Sequence, residues 1–391
     1  MNTALIVLRK ELRESLRDRR TLLNALLVGP FLGPLLFVVI MQLAIGRQLE
    51  RAELPLPVVV IGAEVAPNLI KALEQSGLQR LPPIANPEAA IRAQTVELVL
   101  RITPEFGERW RVGKSAQVEL LYDSSRVDTA VPVQRLQGMI LRHAQTQAGL
   151  RLIARGLSPE VVGPIAITER DQATPQARGA MLFAIVPYFL ILTAFLGGMF
   201  LAIDATAGER ERQSLEPLFI NPVQRSHILL GKLLAVSAFG LTSVLLGLMA
   251  FTLAGWYLST SSLNVPVALN LQFALQLIPL MIPLVLLAAI LQMLVTAFAR
   301  SFREAQTWLG LLQLVPAIPL IIVTVLQVKP QLWMYAIPLL GQELAAMQWL
   351  RGAQVTPLAS MLCVASTLMT VALLFSIVSR IYESERLAIA A

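Results

Sequence analysis

Long apolar runs alternate with polar segments along the chain of 391 residues. A helix that crosses a bilayer needs about 20 consecutive apolar residues, and six runs reach that length. The uncharged stretch 233–299 is long enough for two helices, which the polar residues 259–270 separate. We therefore predict an all-α polytopic membrane protein with six transmembrane helices, at residues 21–46, 179–203, 233–258, 273–299, 305–328 and 353–379.

The segment 47–178, between the first two spans, has the patterns of a water-soluble α/β domain. Pro55–Gly62 has the composition of a buried strand, and Thr95–Ile102 alternates apolar and polar residues as a half-buried strand does. Pro67–Gly77 begins with proline and ends with glycine, which is typical of a helix. Residues 117–125 predict a further strand and residues 129–156 a long helix, so we expect an inserted domain here.

The first 20 residues predict an amphipathic helix that lies in the membrane surface. Its apolar residues recur at helical spacing, at Leu5, Leu8, Leu12 and Leu16. Its basic residues fall on the other faces, at Arg9, Lys10, Arg13 and Arg17. A solvated basic tail is the alternative interpretation.

Charge supports a membrane location and gives an orientation. Only 15% of the residues are charged, against about 25% in soluble proteins. The net charge is +7, but many of the basic residues lie beside the apolar runs, where a membrane protein keeps its Lys and Arg, and not in an aromatic-rich basic surface, so we expect no nucleic-acid partner. Sixteen of the 32 Lys and Arg residues lie outside the long segment 47–178, and twelve of these sixteen are in the segments 1–20, 204–232 and 380–391. The positive-inside rule places these segments in the cytoplasm and residues 47–178 outside the cell (inner) membrane.

The last external segment, 331–351, is apolar but is interrupted by Pro338 and Gly341 and carries Glu343. These interruptions are incompatible with a regular spanning helix. We predict a re-entrant or interfacial hairpin, which must be buried in protein where it enters the bilayer.

Several candidate chemistries are disfavoured by the sequence. Arg111–Ser115 resembles a phosphate loop, but five residues rather than four separate Gly107 from Gly113. The residue types of a Ser-His-Asp hydrolase occur in or near a stretch with the composition of a turn, at Asp123, Ser124, Ser125, Asp128 and His143. The single cysteine, Cys363, and the two histidines do not have metal-ligand spacing, so we expect no metal site.

The apolar cores of the six predicted spans contain no Asp, Glu, Lys, Arg or His. Transporters driven by protons or sodium usually keep such residues in their spans. Any transport by this chain therefore needs another source of energy.

The segment 204–232 is a polar loop between two apolar spans, and its residues predict a short helix. Glu209 and Arg212 have the spacing of an ion pair on a helical extension of the second span. Ser214 is a candidate N-cap, Glu216 and Pro217 suit a first helical turn, and Asn221-Pro222 ends the helix. The side chains offered to a partner are Leu215, Leu218 and Phe219.

The sequence AGERERQSLEPLFINPVQRSHILLGKLLA, residues 207–235, resembles the signature of the membrane subunits of ABC type-2 exporters, nearest the NatB-like sodium-extrusion branch. The resemblance implies that residues 1–20 form an elbow helix and that Ser214–Pro222 form a coupling helix. The coupling residues it implies are Glu209, Arg210, Glu211, Arg212, Ser214, Leu215, Glu216, Pro217, Leu218, Phe219, Asn221, Pro222 and Arg225.

The resemblance further implies a transport subunit that binds no cofactor itself. Two copies of a separate ABC ATPase would carry ATP and Mg, and a second permease, identical or similar, would complete the transporter. We expect export of an amphipathic or hydrophobic compound, with sodium as a further candidate. The alternative is a membrane sensor whose extracytoplasmic domain binds a ligand or partner.

Overall fold

The computed structural model describes residues 3–126, 129–161, 170, 172–212, 223–260, 269–326 and 328–383. The chain divides into two compact units. One comprises residues 1–42 and 172–391, and the other comprises residues 43–171. The first contains the apolar helices and the second contains a β-sheet.

Six helices in the described part of the chain are long and apolar enough to cross a membrane, in agreement with the six predicted runs. We name them S1 to S6. Their bounds are Asn24–Ala44, Val186–Glu211, Arg225–Thr260, Leu271–Phe298, Phe302–Val325 and Pro357–Glu383. The helix of S3 begins eight residues before the apolar run at Leu233, so the polar residues that follow Arg225 are helical too.

Side-chain caps and local irregularities define several of these helices. The Asn270 side chain accepts a hydrogen bond from the Phe273 N–H at 2.8 Å, which fixes the start of S4. Ser301 caps S5 in the same way through the Glu304 N–H. S1, S2 and S5 each contain a π-helical turn, at Asn24–Val28, Asp204–Gly208 and Ile321–Val325.

S2, S3 and S4 form the centre of the bundle. In their apolar windows 72%, 61% and 61% of the residues are buried, against 28%, 17% and 22% in S1, S5 and S6. Small residues let S2 approach S3: a Cβ at Gly198 would lie 2.7 Å from Val236 Cγ1 and 3.0 Å from the Val236 carbonyl oxygen. S1, S5 and S6 consequently present most of their apolar surface outward.

The second unit contains a four-stranded sheet in the order β2-β1-β3-β4. β1 is parallel to both β2 and β3, and β4 is antiparallel to β3. The strands are β1 Leu56–Ile61, β2 Leu78–Leu81, β3 Leu98–Ile102 and β4 Val118–Tyr122. Val58 and Val60 pack into the larger core, whereas Val59 between them packs with Ile91 on the opposite face, as the alternation of side chains in a strand requires.

Short helices connect and cover these strands. Outside the spans we number helices in chain order, beginning with α1, Thr3–Arg17. The helices of the second unit are α2 Pro67–Gln75, α3 Pro87–Arg92, α4 Phe106–Arg111 and α5 Ala130–Ile153. A short helix, Arg19–Leu23, connects α1 to S1. After the π-helical turn of S1, the α-helix runs from Gly29 to Glu53 and so continues beyond the apolar span, which ends at Ala44.

The segment between S5 and S6, for which a re-entrant or interfacial hairpin is predicted, contains two short helical elements. It comprises a 3₁₀ turn, Leu332–Ala336, and a helix, Leu340–Leu350. We call this helix α7, because α6 is the helix Pro175–Leu182 that precedes S2. A Cβ at Gly341 would lie 2.7 Å from the Tyr335 carbonyl oxygen and 2.9 Å from Cys363 Sγ of S6. Helix α7 is buried along almost its whole length, as non-spanning backbone in a helix bundle must be.

Candidate coupling region at the basic end of the helix bundle

Helix α1 packs closely on the start of S3. Its buried residues are Ala4, Val7, Glu11 and Ser15, which form one helical stripe. A Cβ at Gly231 of S3 would lie 2.6 Å from the Ala4 carbonyl oxygen and 2.7 Å from Val7 Cβ. The contact therefore depends on small residues, and the predicted apolar face is only partly used: Leu8 and Leu12 pack against the core, whereas Leu5 and Leu16 are exposed.

A buried ion-pair cluster joins α1 to S2 and S3. Lys232 Nζ lies 3.1 Å from Glu11 Oε1 and 2.5 Å from Glu209 Oε2, and it donates a third hydrogen bond to the Ala205 carbonyl oxygen at 2.7 Å. Lys10 Nζ donates to Glu209 Oε1 at 2.9 Å and lies 3.3 Å from a carboxylate oxygen of Glu11. We call Lys10, Glu11, Glu209 and Lys232 the charge cluster, and the end of the bundle that holds it the basic end.

Each buried charge of the charge cluster has an oppositely charged partner. Lys232 is completely buried, and the side chains of Glu11 and Glu209 are only 5% and 10% exposed. A buried charge is strongly unfavourable without partners, but the three donors of Lys232 all have acceptors. Burial acts to lower the pKa of Lys10, but its hydrogen bond to Glu209 and the nearby carboxylates outweigh burial, so that its pKa is raised and it stays charged.

Residues beside the polar loop also form hydrogen bonds with the ends of S4, S5 and S6. Arg210 Nη1 donates to the Ala299 carbonyl oxygen at the end of S4, at 3.0 Å. Glu211 Oε2 accepts from the Phe302 N–H at the start of S5, at 2.9 Å. Arg225 Nη1 donates to two carbonyl oxygens at the end of S6, both at 3.0 Å.

The predicted ion pair between Glu209 and Arg212 is wrong. Arg212 pairs with Asp204 at 2.8 Å, whereas Glu209 faces the two lysines of the charge cluster. Glu209 is engaged in ion pairs with Lys10 and Lys232, and Arg212, at the end of the helix, instead reaches Asp204 at the start of the π-helical turn Asp204–Gly208. The helical extension of the second span is present as predicted, through Glu211.

The predicted coupling helix itself lies outside the described residues. It includes Ser214, Leu215, Glu216, Pro217, Leu218, Phe219, Asn221 and Pro222. Its flanks are described, and they carry the contacts given above to S3, S4, S5 and S6. Arg9, Arg13 and Arg17 of α1 are exposed, and Lys10 alone of its four predicted basic residues joins the charge cluster.

Sequence reasoning missed Glu11 and Lys232 as site residues. Glu11 follows Ala4 and Val7 on one helical face, which could have indicated that it lies in the contact. Lys232 is the last cation before a stretch of 67 uncharged residues, 233–299, and a cation at such a boundary is ordinarily solvated. Its burial depends on two glutamates that precede it by 23 and 221 residues.

The disfavoured motifs have structural roles. Gly113 has φ +79° just after α4, and the Lys114 N–H donates to the Arg109 carbonyl oxygen at 2.9 Å, so Arg111–Ser115 ends a helix and does not form a phosphate loop. Asp123 Oδ1 accepts hydrogen bonds from the Ser125 N–H and hydroxyl, which is turn geometry. His143 stacks on Trp110.

The second unit has a cleft of about 720 Å³ between α2, α4 and α5, lined by both charged and apolar side chains. Among the described residues, no group of three or more His, Cys, Asp or Glu side chains is placed to hold a metal ion.

The family model for ABC-2 family transporter proteins matches residues 5–378, which includes every described span except the last residues of S6. The chain belongs to the ABC-2 transporter family. It is 27% identical over 320 residues to the ABC transporter permease protein NatB of Bacillus subtilis (strain 168), and the match covers 80% of this chain and 81% of that protein. No solved structure is significantly similar to the chain.

Family membership assigns a role to the six apolar helices. The chain is a multi-pass membrane protein and the membrane subunit of an ABC transporter. A permease of this family acts with an ABC ATPase as partner, so its role is transport.

Proposed function

We propose that this permease exports amphipathic or hydrophobic compounds from the cytoplasm, using ATP that the separate ATPase hydrolyses. The observation that carries the proposal is the buried charge cluster, which joins α1, the end of S2 and the start of S3 on both sides of the loop 204–232. A force on this loop is then transmitted to two central spans and to α1. ATP and Mg would bind to the ATPase and not to this chain.

The flanking contacts extend this transmission to the remaining spans after S3. Arg210, Glu211 and Arg225 reach S4, S5 and S6 through backbone groups at the ends of these helices. Movement of the loop therefore displaces several spans together, as alternation between inward-open and outward-open states requires. Ser214–Pro222 would be the short helix that docks into the ATPase.

The distribution of Lys and Arg supports a cytoplasmic position for the basic end. Among the short segments that flank the spans, α1, both flanks of the loop and the last turn of S6 carry most of the basic residues, and the positive-inside rule assigns such segments to the cytoplasm. Both termini would then be cytoplasmic, and the sheet-containing unit and the hairpin of α7 would face outward across the inner membrane.

Two copies of this chain, or one copy with a similar permease, would form the transporter together with two ATPase subunits. The outward-facing apolar surfaces of S1, S5 and S6 support such an assembly, because they are available for another permease as well as for lipid. Apolar spans favour an amphipathic cargo, and sodium remains a second candidate. The sensor alternative has no support from the family match.

The test replaces Leu218 and Phe219 together by aspartate and purifies the permease with its ATPase. Charge in a desolvated contact typically costs several kcal/mol, so we expect the variant to insert normally but to lose the ATPase and all ATP-dependent export. The matched control is Leu218→Met with Phe219→Leu, which keeps the apolar surface and should retain the ATPase. Normal ATPase retention by the aspartate variant would show that the loop is only a connector.

A further inference from the structure

Glu343 is the fourth residue of α7, and its side chain is completely buried. Neither of its carboxyl oxygens has a hydrogen-bond partner among the described residues. The adjacent Gln342 is hydrogen-bonded at both ends of its amide: its Nε2 donates to Thr367 Oγ1 at 2.9 Å and its Oε1 accepts from the Leu339 N–H at 2.7 Å. Buried polar groups are almost always hydrogen-bonded, so Glu343 needs a specific explanation.

The described side chains of the elements packed against α7 supply no counter-charge to Glu343; the side chain of Arg178 is not among them. They are α6, the 3₁₀ turn and parts of S2, S4, S5 and S6. The titratable residues on or near the packed parts are Arg178, Tyr188, Tyr335 and Cys363, and no described residue forms a hydrogen bond or ion pair with Glu343. The other titratable residues of these spans lie at their opposite end: Asp204, Glu209, Arg210, Glu211, Arg303, Glu304, Arg380, Tyr382 and Glu383.

Burial without a partner controls the protonation of Glu343. It disfavours the carboxylate and raises the pKa of Glu343 from 4.5 to about 8. The packed helix therefore contains the neutral acid at pH 7. If α7 left the bundle for water, the group would regain its ordinary pKa and release the proton.

Residues with positive φ flank α7 on both sides. Leu339, just before it, has φ +70°, and Gly352, just after it, has φ +74°. A left-handed conformation is unfavourable for leucine and is maintained only by the surrounding packing. The helix is thus bounded by two sharp changes of chain direction.

We propose that Glu343 is a proton-binding site that controls whether α7 stays packed in the helix bundle. The neutral acid permits packing, and the carboxylate opposes it. The released α7 binds fewer protons than the packed α7, so the stability of packing is greatest below about pH 4.5, decreases as the pH rises, and reaches its minimum above about pH 8. This role is additional to ATP-driven export and does not depend on it.

Cys363 provides a direct readout of the position of α7. It is the only cysteine in the chain, it is buried, and it packs against Gly341 of α7. Release of α7 should expose its thiol to a maleimide. The experiment measures the labelling rate of the purified full-length chain in nanodiscs between about pH 5.5 and about pH 9, without ATPase or cargo.

The comparison variant is Glu343→Gln, which cannot ionise. Thiol reactivity itself increases with pH, but the ratio of the wild-type rate to the Glu343→Gln rate removes this dependence. We expect the ratio to rise by at least about tenfold from pH 5.5 to pH 8 and then to level off. The reason is that each pH unit in this range changes the equilibrium constant between packed and released α7 by up to about tenfold. Glu343→Asp should show the same rise, and Glu343→Leu should show none.

A ratio that stays constant over this range would contradict the proposal. A rise that also occurs for Glu343→Leu would contradict it as well, since the effect would then not arise from Glu343. Because the measurement needs neither ATP nor the ATPase, its failure leaves the export proposal untouched.

Discussion

Lys232 and Glu343 are both completely buried in the helix unit, but their surroundings are opposite. Lys232 has two carboxylates and one carbonyl oxygen within hydrogen-bond distance, whereas Glu343 has no partner among the described residues. The first arrangement stabilises a contact between three helices. In the second, burial without a partner makes ionisation unfavourable, so the carboxyl group keeps its proton while α7 is packed. Lys232 thus stabilises the contact through its ion pairs, whereas Glu343, on our proposal, makes the packing of α7 depend on pH.

Replacing Lys232 by methionine should produce the largest effect. It leaves Glu11 and Glu209 buried with one partly exposed lysine, and removal of one partner from a buried ion pair typically destabilises a protein by about 3–5 kcal/mol. Thermal unfolding of the detergent-solubilised protein measures the change. The matched control is Lys10→Met, whose side chain is 41% exposed and whose loss should cost less than about 1 kcal/mol. Equal effects of the two variants would contradict the assigned role of Lys232.

Gly231→Ala should also weaken the basic end, by a steric route. The new methyl group would lie 2.6 Å from the Ala4 backbone, and we expect a loss of about 1–3 kcal/mol from overpacking. Gly310→Ala in S5 is the control, because nothing lies within 4 Å of the added carbon, and it should stabilise the helix by about 0.5–1 kcal/mol. The same unfolding measurement on both variants tests whether α1 is held through this close contact.

Glu343→Leu should have the opposite sign to Lys232→Met. It replaces a buried group without partners by an apolar one, so we expect stabilisation of about 1–3 kcal/mol. The gain should increase as the pH rises from about 4.5 to about 8, because the wild-type carboxyl group must retain its proton to stay packed. Melting temperatures at several pH values check both the sign and the trend, and a destabilised, pH-independent variant would refute this view of the hairpin.

The sequence predicts the spans well because uncharged runs of about 20 residues have few alternatives to membrane helices. It also predicts β1 and β3, whose apolar patterns are strong. The charge cluster could not be predicted, because Glu11 and Lys232 are 221 residues apart and their pairing depends on how α1 docks. The close contact of Ala4 and Val7 with Gly231 of S3 was not predicted either, because nothing in the leucine pattern of α1 indicates which residues face S3. Burial of Glu343 likewise depends on tertiary packing.

The most direct test of coupling asks whether ATP at the basic end changes the opposite end of S6. The measurement is maleimide labelling of Cys363 in the complex of permease and ATPase, with and without ATP, at one fixed pH. We predict that ATP changes the labelling rate at least about fivefold in the wild type. Glu209→Gln, which weakens the charge cluster but leaves the predicted coupling helix intact, should keep the ATPase bound and lose most of this change. An undiminished ATP effect in Glu209→Gln, or no effect in the wild type, would contradict coupling through the charge cluster.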